Sequence, residues 1–157
     1  MATINAQVTV GSDISSSALT INKTMTMKKA GSSAGLEFTT GLAKKAFTNT
    51  NQVDLLRAGA GVSADVTADK SAKLYIKNVG TDSSTYFIIG KGNASTGASE
   101  TAIDSSGTAY YRIGRLYGQD WMLIPWDAAT TTGDITIQAS TASAAAPMHV
   151  EYIVFYE

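Results

Sequence analysis

Hydrophobic and polar residues alternate along most of this chain, and the period is two. Ile4, Ala6, Val8 and Val10 alternate with Asn5, Gln7 and Thr9, the pattern of a half-buried strand. Leu19, Ile21, Met25 and Met27 continue it against Thr20, Asn22, Thr24 and Thr26. Lys23 breaks the apolar face, which predicts a bulge or an exit from the sheet there. Leu36 to Thr39 and Val53 to Leu56 read as short strands. The segment 42–47, Leu-Ala-Lys-Lys-Ala-Phe, fits a turn and a half of helix or an extended strand. Gly41 before it and Thr48-Asn-Thr-Asn51 after it favour the strand.

The alternation becomes cleaner further on. Leu74 and Ile76 alternate with Lys73, Tyr75 and Lys77, and 85–89 is a continuous apolar run across the loop 80–84, which predicts a hairpin. Residues 90–107 read as a long loop of small residues. Tyr110 to Leu116 and Trp121 to Trp126 predict a second hairpin around Tyr117-Gly118-Gln119-Asp120, with Gly118 taking a positive φ. In its second strand Trp121, Leu123 and Pro125 face one way, and Met122, Ile124 and Trp126 the other. Such a strand needs cover on both sides, and in so small a chain the second cover can come from another subunit. Asp134 to Gln138 alternates again. In the last strand, Met148 to Tyr156, one face begins polar with His149 and Glu151 and ends apolar with Ile153 and Phe155.

About nine or ten short strands and no helical period imply an all-β protein, an antiparallel β-sandwich of jelly-roll-like form with little or no helix. The chain reads as one domain. Residues 68–157 make its compact core, and residues 1–67 a looser arm that packs on that core or on a neighbouring subunit.

Composition narrows the function. The chain has 157 residues, a net charge of −1 and 16% charged residues. It has no basic field to neutralise phosphates, so nucleic acid is not an expected partner. No apolar run approaches the ~20 residues that span a bilayer, so neither is a membrane. Met1-Ala-Thr-Ile-Asn carries no basic and apolar leader, which implies synthesis in the cytoplasm. The absence of cysteine removes disulfides, thiolate metal sites and cysteine nucleophiles. A surface polar mainly through hydroxyls puts little like-charge repulsion between copies.

Candidate chemistry is sparse. His149 is the only histidine, which removes multi-histidine metal sites, and on the polar half of a strand it reads as solvated. Asp65 and Asp69 lack the spacing of a calcium loop. The stretch from Gly90 to Gly97 lacks the Gly-Lys-Ser/Thr ending of a phosphate loop. No pair of acids stands out for hydrolysis. No enzyme and no cofactor are therefore expected. The aromatic cluster Tyr110, Tyr111, Tyr117, Trp121 and Trp126 fits core packing, a protein interface, or stacking on sugar rings. The candidate interface residues are Tyr110, Tyr111, Trp121, Trp126, Ile153 and Phe155.

Four segments carry a resemblance: 72–78 (Ala-Lys-Leu-Tyr-Ile-Lys-Asn), 113–126 (Ile-Gly-Arg-Leu-Tyr-Gly-Gln-Asp-Trp-Met-Leu-Ile-Pro-Trp), 134–137 (Asp-Ile-Thr-Ile) and 150–156 (Val-Glu-Tyr-Ile-Val-Phe-Tyr). In this order they resemble small virion structural proteins of tailed bacteriophages, especially marine and cyanobacterial ones. The resemblance covers roughly the second half of the chain and rests on fold-making residues. It implies a β-sandwich subunit present in many copies in the virion, with no enzyme activity. The expected role is a head decoration or cement protein, a homo-oligomer such as a trimer, bound to the major capsid protein or other virion proteins. A neck, tail or fibre component, or a module that binds host glycans, is the alternative.

Overall fold

The fold comes from a computed structural model that describes residues 4–12, 19–29, 31–59, 65, 72–92, 111–128 and 133–157. It is all-β. The strands in chain order are β1 (Asn5–Ser12), β2 (Leu19–Thr26), β3 (Phe38–Thr39), β4 (Ala43–Phe47), β5 (Val53–Leu56), β6 (Ala72–Asn78), β7 (Tyr86–Lys91), β8 (Tyr111–Tyr117), β9 (Trp121–Trp126), β10 (Ile135–Ala139) and β11 (Met148–Tyr156). The segment 42–47 is extended, as its flanking residues imply.

The strands form two packed sheets and a separate ribbon, with every pairing antiparallel. One sheet has the order β5-β10-β7-β8. The other has β3-β11-β6-β9, with β4 also paired to β11. Alternation decides which side chains go inside. Leu74 and Ile76 of β6, Val150 and Val154 of β11, and Phe47 of β4 meet Phe87 and Ile89 of β7, Ile135 and Ile137 of β10, and Leu116 of β8 in one core. The Phe47 and Phe87 rings touch edge to face across the sheets, with centroids 5.2 Å apart. Each such side chain stabilises the fold by about 1.5–3 kcal/mol on burial.

The edges carry two recognisable devices. β9 ends one sheet and contains Pro125, which is tolerated only where a strand has a free edge. The opposite edge is broken between β3 and β4. There Thr40 donates its N–H to the Val154 carbonyl at 3.0 Å, and its hydroxyl accepts the Val154 N–H at 3.0 Å. Gly41, at φ 75°, makes the bend.

Three expectations from the sequence are corrected here. Neither predicted hairpin exists: β6 pairs with β9 and β11, and β7 with β8 and β10, so 79–85 crosses between sheets. β8 pairs with β7 and β9 with β6, so 118–120 crosses as well. Lys23 causes no bulge, because β1 and β2 stay in register from Asn5↔Thr26 to Ser12↔Leu19 and Lys23 sits exposed opposite Val8. In the turn 117–120 it is Gln119, at φ 69°, that is left-handed. Within residues 1–67, β3, β4 and β5 pair into the two sheets, while β1 and β2 pair with each other.

Buried Asn78 explains the two crossovers. Its Nδ2 donates to the Leu116 carbonyl at 3.0 Å, and its Oδ1 accepts the Gly80 N–H at 3.0 Å. Its backbone N–H donates to Asp120 O, and its carbonyl accepts the Gln119 N–H. The Gln119 side chain donates to the Val79 and Gly80 carbonyls. One amide thus ties both arches together. Gly118 is needed for the approach, since a Cβ there would lie 2.6 Å from the Asp82 carbonyl oxygen. Gly118→Ala is expected to destabilise the protein by about 1–3 kcal/mol, read as a lower urea midpoint.

Asp134, only 5% exposed, accepts the Ala58 N–H on Oδ1 at 2.6 Å. Burial pushes its carboxyl above the ordinary carboxylate range, and Asp54 and Asp65 add to this, while the Ala58 bond and Arg57 oppose it. The folded protein therefore holds this proton more tightly than the unfolded chain does. Its contribution to stability is fully present below the unfolded pKa and is lost as pH rises through the folded one. Asp134→Asn keeps the acceptor and removes that loss. Its melting temperature relative to the parent should rise from about pH 4 toward neutrality, as followed by circular dichroism.

Candidate functional site

The site lies on the outer face of the β3/β4-β11-β6-β9 sheet. Because β6 alternates, Lys73, Tyr75 and Lys77 point away from the core. The register places Trp121 beside Lys77, Leu123 beside Tyr75 and Pro125 beside Lys73. On the other side of β6 it places Glu151 beside Lys77, Ile153 beside Tyr75 and Phe155 beside Lys73. Leu123, Tyr75 and Ile153 form an apolar band across three strands. On one flank run Trp121, Lys77, Glu151 and Lys44, with alternating charges toward the β4 edge. Trp121 is 49% exposed, and its ring leans on that of Tyr75 with centroids 6.0 Å apart. Burial, and then the Glu151 carboxylate, push the Tyr75 hydroxyl up, so it stays neutral at physiological pH.

The ribbon β1–β2 rises over this band. Ile4, Ala6 and Val8 of its apolar face, together with Asn5, Gln7 and Met27, form one wall of an open groove of about 350 Å³. Tyr75, Trp121, Leu123, Ile153 and Phe155 form the other wall. The ribbon is rooted by Met27, whose N–H donates to Ile4 O and whose carbonyl accepts the Leu36 N–H; both side chains are buried. A salt bridge of 3.0 Å between Lys29 and Glu37 braces the root. The ribbon's two faces differ. Its polar face is knit by Gln7 donating to Asn22 at 3.1 Å and Thr26 donating to Asn5 at 2.9 Å. Its apolar face carries Val8, Val10, Ile21 and Met25, all at least a third exposed.

Of the residues singled out in the sequence, Trp121, Ile153 and Phe155 come together in this groove. Trp126 does not, and its candidacy for an interface is corrected. It faces inward opposite Ala72, is 3% exposed, and donates its indole N–H to the Gly133 carbonyl at 2.6 Å. The two tryptophans therefore have opposite fates, as strand parity requires. Tyr111 is the first residue of β8, on the other sheet. Tyr110, Asp69 and most of the loop 90–107 lie outside the described residues. His149 lines a separate polar recess with Lys44 and Asp82.

Sequence reasoning missed Tyr75 and the ribbon's role as a wall. Tyr75 was legible as the outward member of β6, but which strands flank it was not. Among the described residues no group of three or more His, Asp or Glu side chains is placed to hold a metal ion, and no helix is long and apolar enough to cross a membrane. The groove offers apolar contact, one exposed indole and a bordering row of charges. No protein-family model matches the chain, and neither a curated protein nor a solved structure matches it.

Proposed function

We propose that this chain is a structural subunit of a tailed-phage virion, a head decoration or cement protein that joins neighbouring subunits through apolar contact. The observation that carries the reading is the band Leu123, Tyr75 and Ile153, with Trp121 beside it, left open under a ribbon whose own apolar face is exposed. A half-buried apolar band with an exposed tryptophan beside it is the kind of surface that marks interaction sites. Trp121, on the flank of the band, is an aromatic side chain of the type enriched among interface anchors. Strand order supports the same reading by analogy. β4 to β11 run in the orders β4-β11-β6-β9 and β5-β10-β7-β8. We read this wiring as a jelly roll, an architecture used in viral shells and also in lectins and cupins.

The test is quantitative mass spectrometry of purified particles of the phage carrying this sequence, followed by rebinding to shells stripped of the protein. Many copies per particle are expected, with rebinding weakened at least tenfold by Trp121→Ser. Absence from purified particles would sink the reading.

A second reading, a tail or fibre module that binds host glycans, is favoured by one observation: the Trp121 ring stands half exposed beside Tyr75 at the groove mouth. A glycan array settles it. Binding lost on Trp121→Ala would move the protein to that class. Trp126 takes no part in this reading, because its ring is enclosed in the core.

A further inference from the structure

We infer that the β1–β2 ribbon is a strap that closes over the groove in the free chain, so that the band Tyr75, Leu123 and Ile153 is bared only when a partner displaces it. Closure stands on the geometry alone, and the displacement rests on the assembly role proposed above. The ribbon is fixed at one end. At its root Met27 and Leu36 are buried and joined by a hydrogen bond, and the Lys29–Glu37 salt bridge braces them. Past the root, β1 and β2 pair with each other and, among the described residues, with neither sheet. Exposure follows this attachment. The apolar face of the ribbon is a ladder of paired rows: Ala6 with Met25, Val8 with Lys23, and Val10 with Ile21. Met27 at the root is 2% exposed, whereas Met25 in the next row is 44%, and Val10 and Ile21 toward the tip are 44% and 40% exposed. Close packing therefore ends at the root.

The ladder does not look out on solvent alone. Ala6 and Val8 stand across the groove from Tyr75, Leu123 and Ile153, so two largely apolar surfaces of one chain face each other over about 350 Å³. That is room for roughly ten waters at ~30 Å³ each. Water held between apolar walls is unfavourable, and expelling it draws the walls together. Charge does not oppose closure. No charged side chain lines the groove. Lys23 is the only charge on the ladder, and its long stem lets the ammonium stay in water. The backbone does not oppose it either, because a ribbon that swings as a unit about its root keeps every β1–β2 bond, and a hinge needs only a few residues. A partner for the band must then remove the strap, and its apparent affinity is scaled down by the fraction of chains whose band is bare. The same contact shields free copies from one another.

The experiment uses the natural absence of cysteine. A disulfide needs its Cβ atoms ~3.5–4.5 Å apart, so one that spans the groove forms only if the walls meet. Val8→Cys with Leu123→Cys, or Val8→Cys with Ile153→Cys, should give a disulfide within one chain on mild oxidation at high dilution, read by mass spectrometry. Thr9→Cys with Leu123→Cys starts from the ribbon's other face and should not. If the cysteine variants fail to fold, acrylamide quenching of tryptophan fluorescence is the second measurement, and with Trp126 buried it reports on Trp121. Val10→Asp with Met25→Asp should raise quenching at least twofold, whereas Thr9→Asp with Thr24→Asp, on the polar face, should leave it unchanged. The oxidised cross-linked protein should also rebind stripped shells at least tenfold more weakly than the same protein reduced. No disulfide within a chain from either pair, or quenching indifferent to the Val10 and Met25 charges, overturns closure. Equal rebinding of the oxidised and reduced forms overturns the competition for the band. Absence of the chain from particles sinks the assembly role alone, because the cross-link is read on the isolated protein.

Discussion

Trp126→Ala is expected to destabilise the protein by about 3–5 kcal/mol, the range for deleting a buried large aromatic. Its indole fills the core opposite Ala72 and donates to the Gly133 carbonyl, so alanine leaves both a cavity and an unpaired buried acceptor. The readout is the urea midpoint at an unchanged slope, since the fold loses packing rather than compactness. The control is the tryptophan five residues earlier. Trp121→Ala removes a half-exposed ring and should shift the midpoint by less than about 1 kcal/mol. A reversed ranking would mean that the faces of β9 are misassigned.

Asn78→Ala should cost about 2–4 kcal/mol, because it strands the Leu116 carbonyl of a buried hydrogen bond and the part-buried Gly80 N–H, with about 1–3 kcal/mol for a buried group left unpaired. Asn78→Asp separates the two bonds. It keeps an acceptor for Gly80, removes the donor to Leu116, and buries a charge, so it should be at least as damaging at neutral pH and milder in acid. Hydrogen exchange of the backbone amides of Gly80, Gln119 and Asp120 should speed up together in either variant. If only one arch loosens, Asn78 does not couple the two.

Side-chain direction was readable from the residues, and strand pairing was not. The alternation sets Leu74 and Ile76 apart from Lys73, Tyr75 and Lys77 as inward and outward positions, and it sorts Trp121 to Trp126 onto two faces without saying which of them is inside. It carries no information on which sheet a strand joins. A two-sheet arch and a one-sheet hairpin both need a short polar turn with a glycine, so 117–120 satisfies either. The deciding group is Asn78, whose burial is a tertiary fact: in sequence it is one more polar residue at the end of a strand. The groove follows the same logic. Trp121, Ile153 and Phe155 were visible as surplus apolar positions, while Tyr75 joins them only once β9 and β11 are known to flank β6. The ribbon was legible as two strands, but that among the described residues they pair with each other and with neither sheet was not. Lys23 looked like a fault in a core strand because an exposed apolar ladder has no distinct signature.

The position of the last strands has a consequence for how the chain comes to be folded. β11 lies in the interior of its sheet, between the β3/β4 edge and β6, and β10 lies between β5 and β7. Neither sheet can close while residues 135–156 are still being synthesised, because the strands made earlier have gaps where these two belong. Contacts that join the two ends of a chain are slow to form, since loop closure must come first. Both sheets should therefore close only after residues 135–156 have emerged from the ribosome, with single-exponential refolding on a timescale of about milliseconds to seconds. Until then the edges of β4, β5, β6 and β7 stay unpaired, the state most prone to aggregation. Slower translation would not help such a chain, whereas a lower expression temperature or a chaperone that holds unpaired edges would.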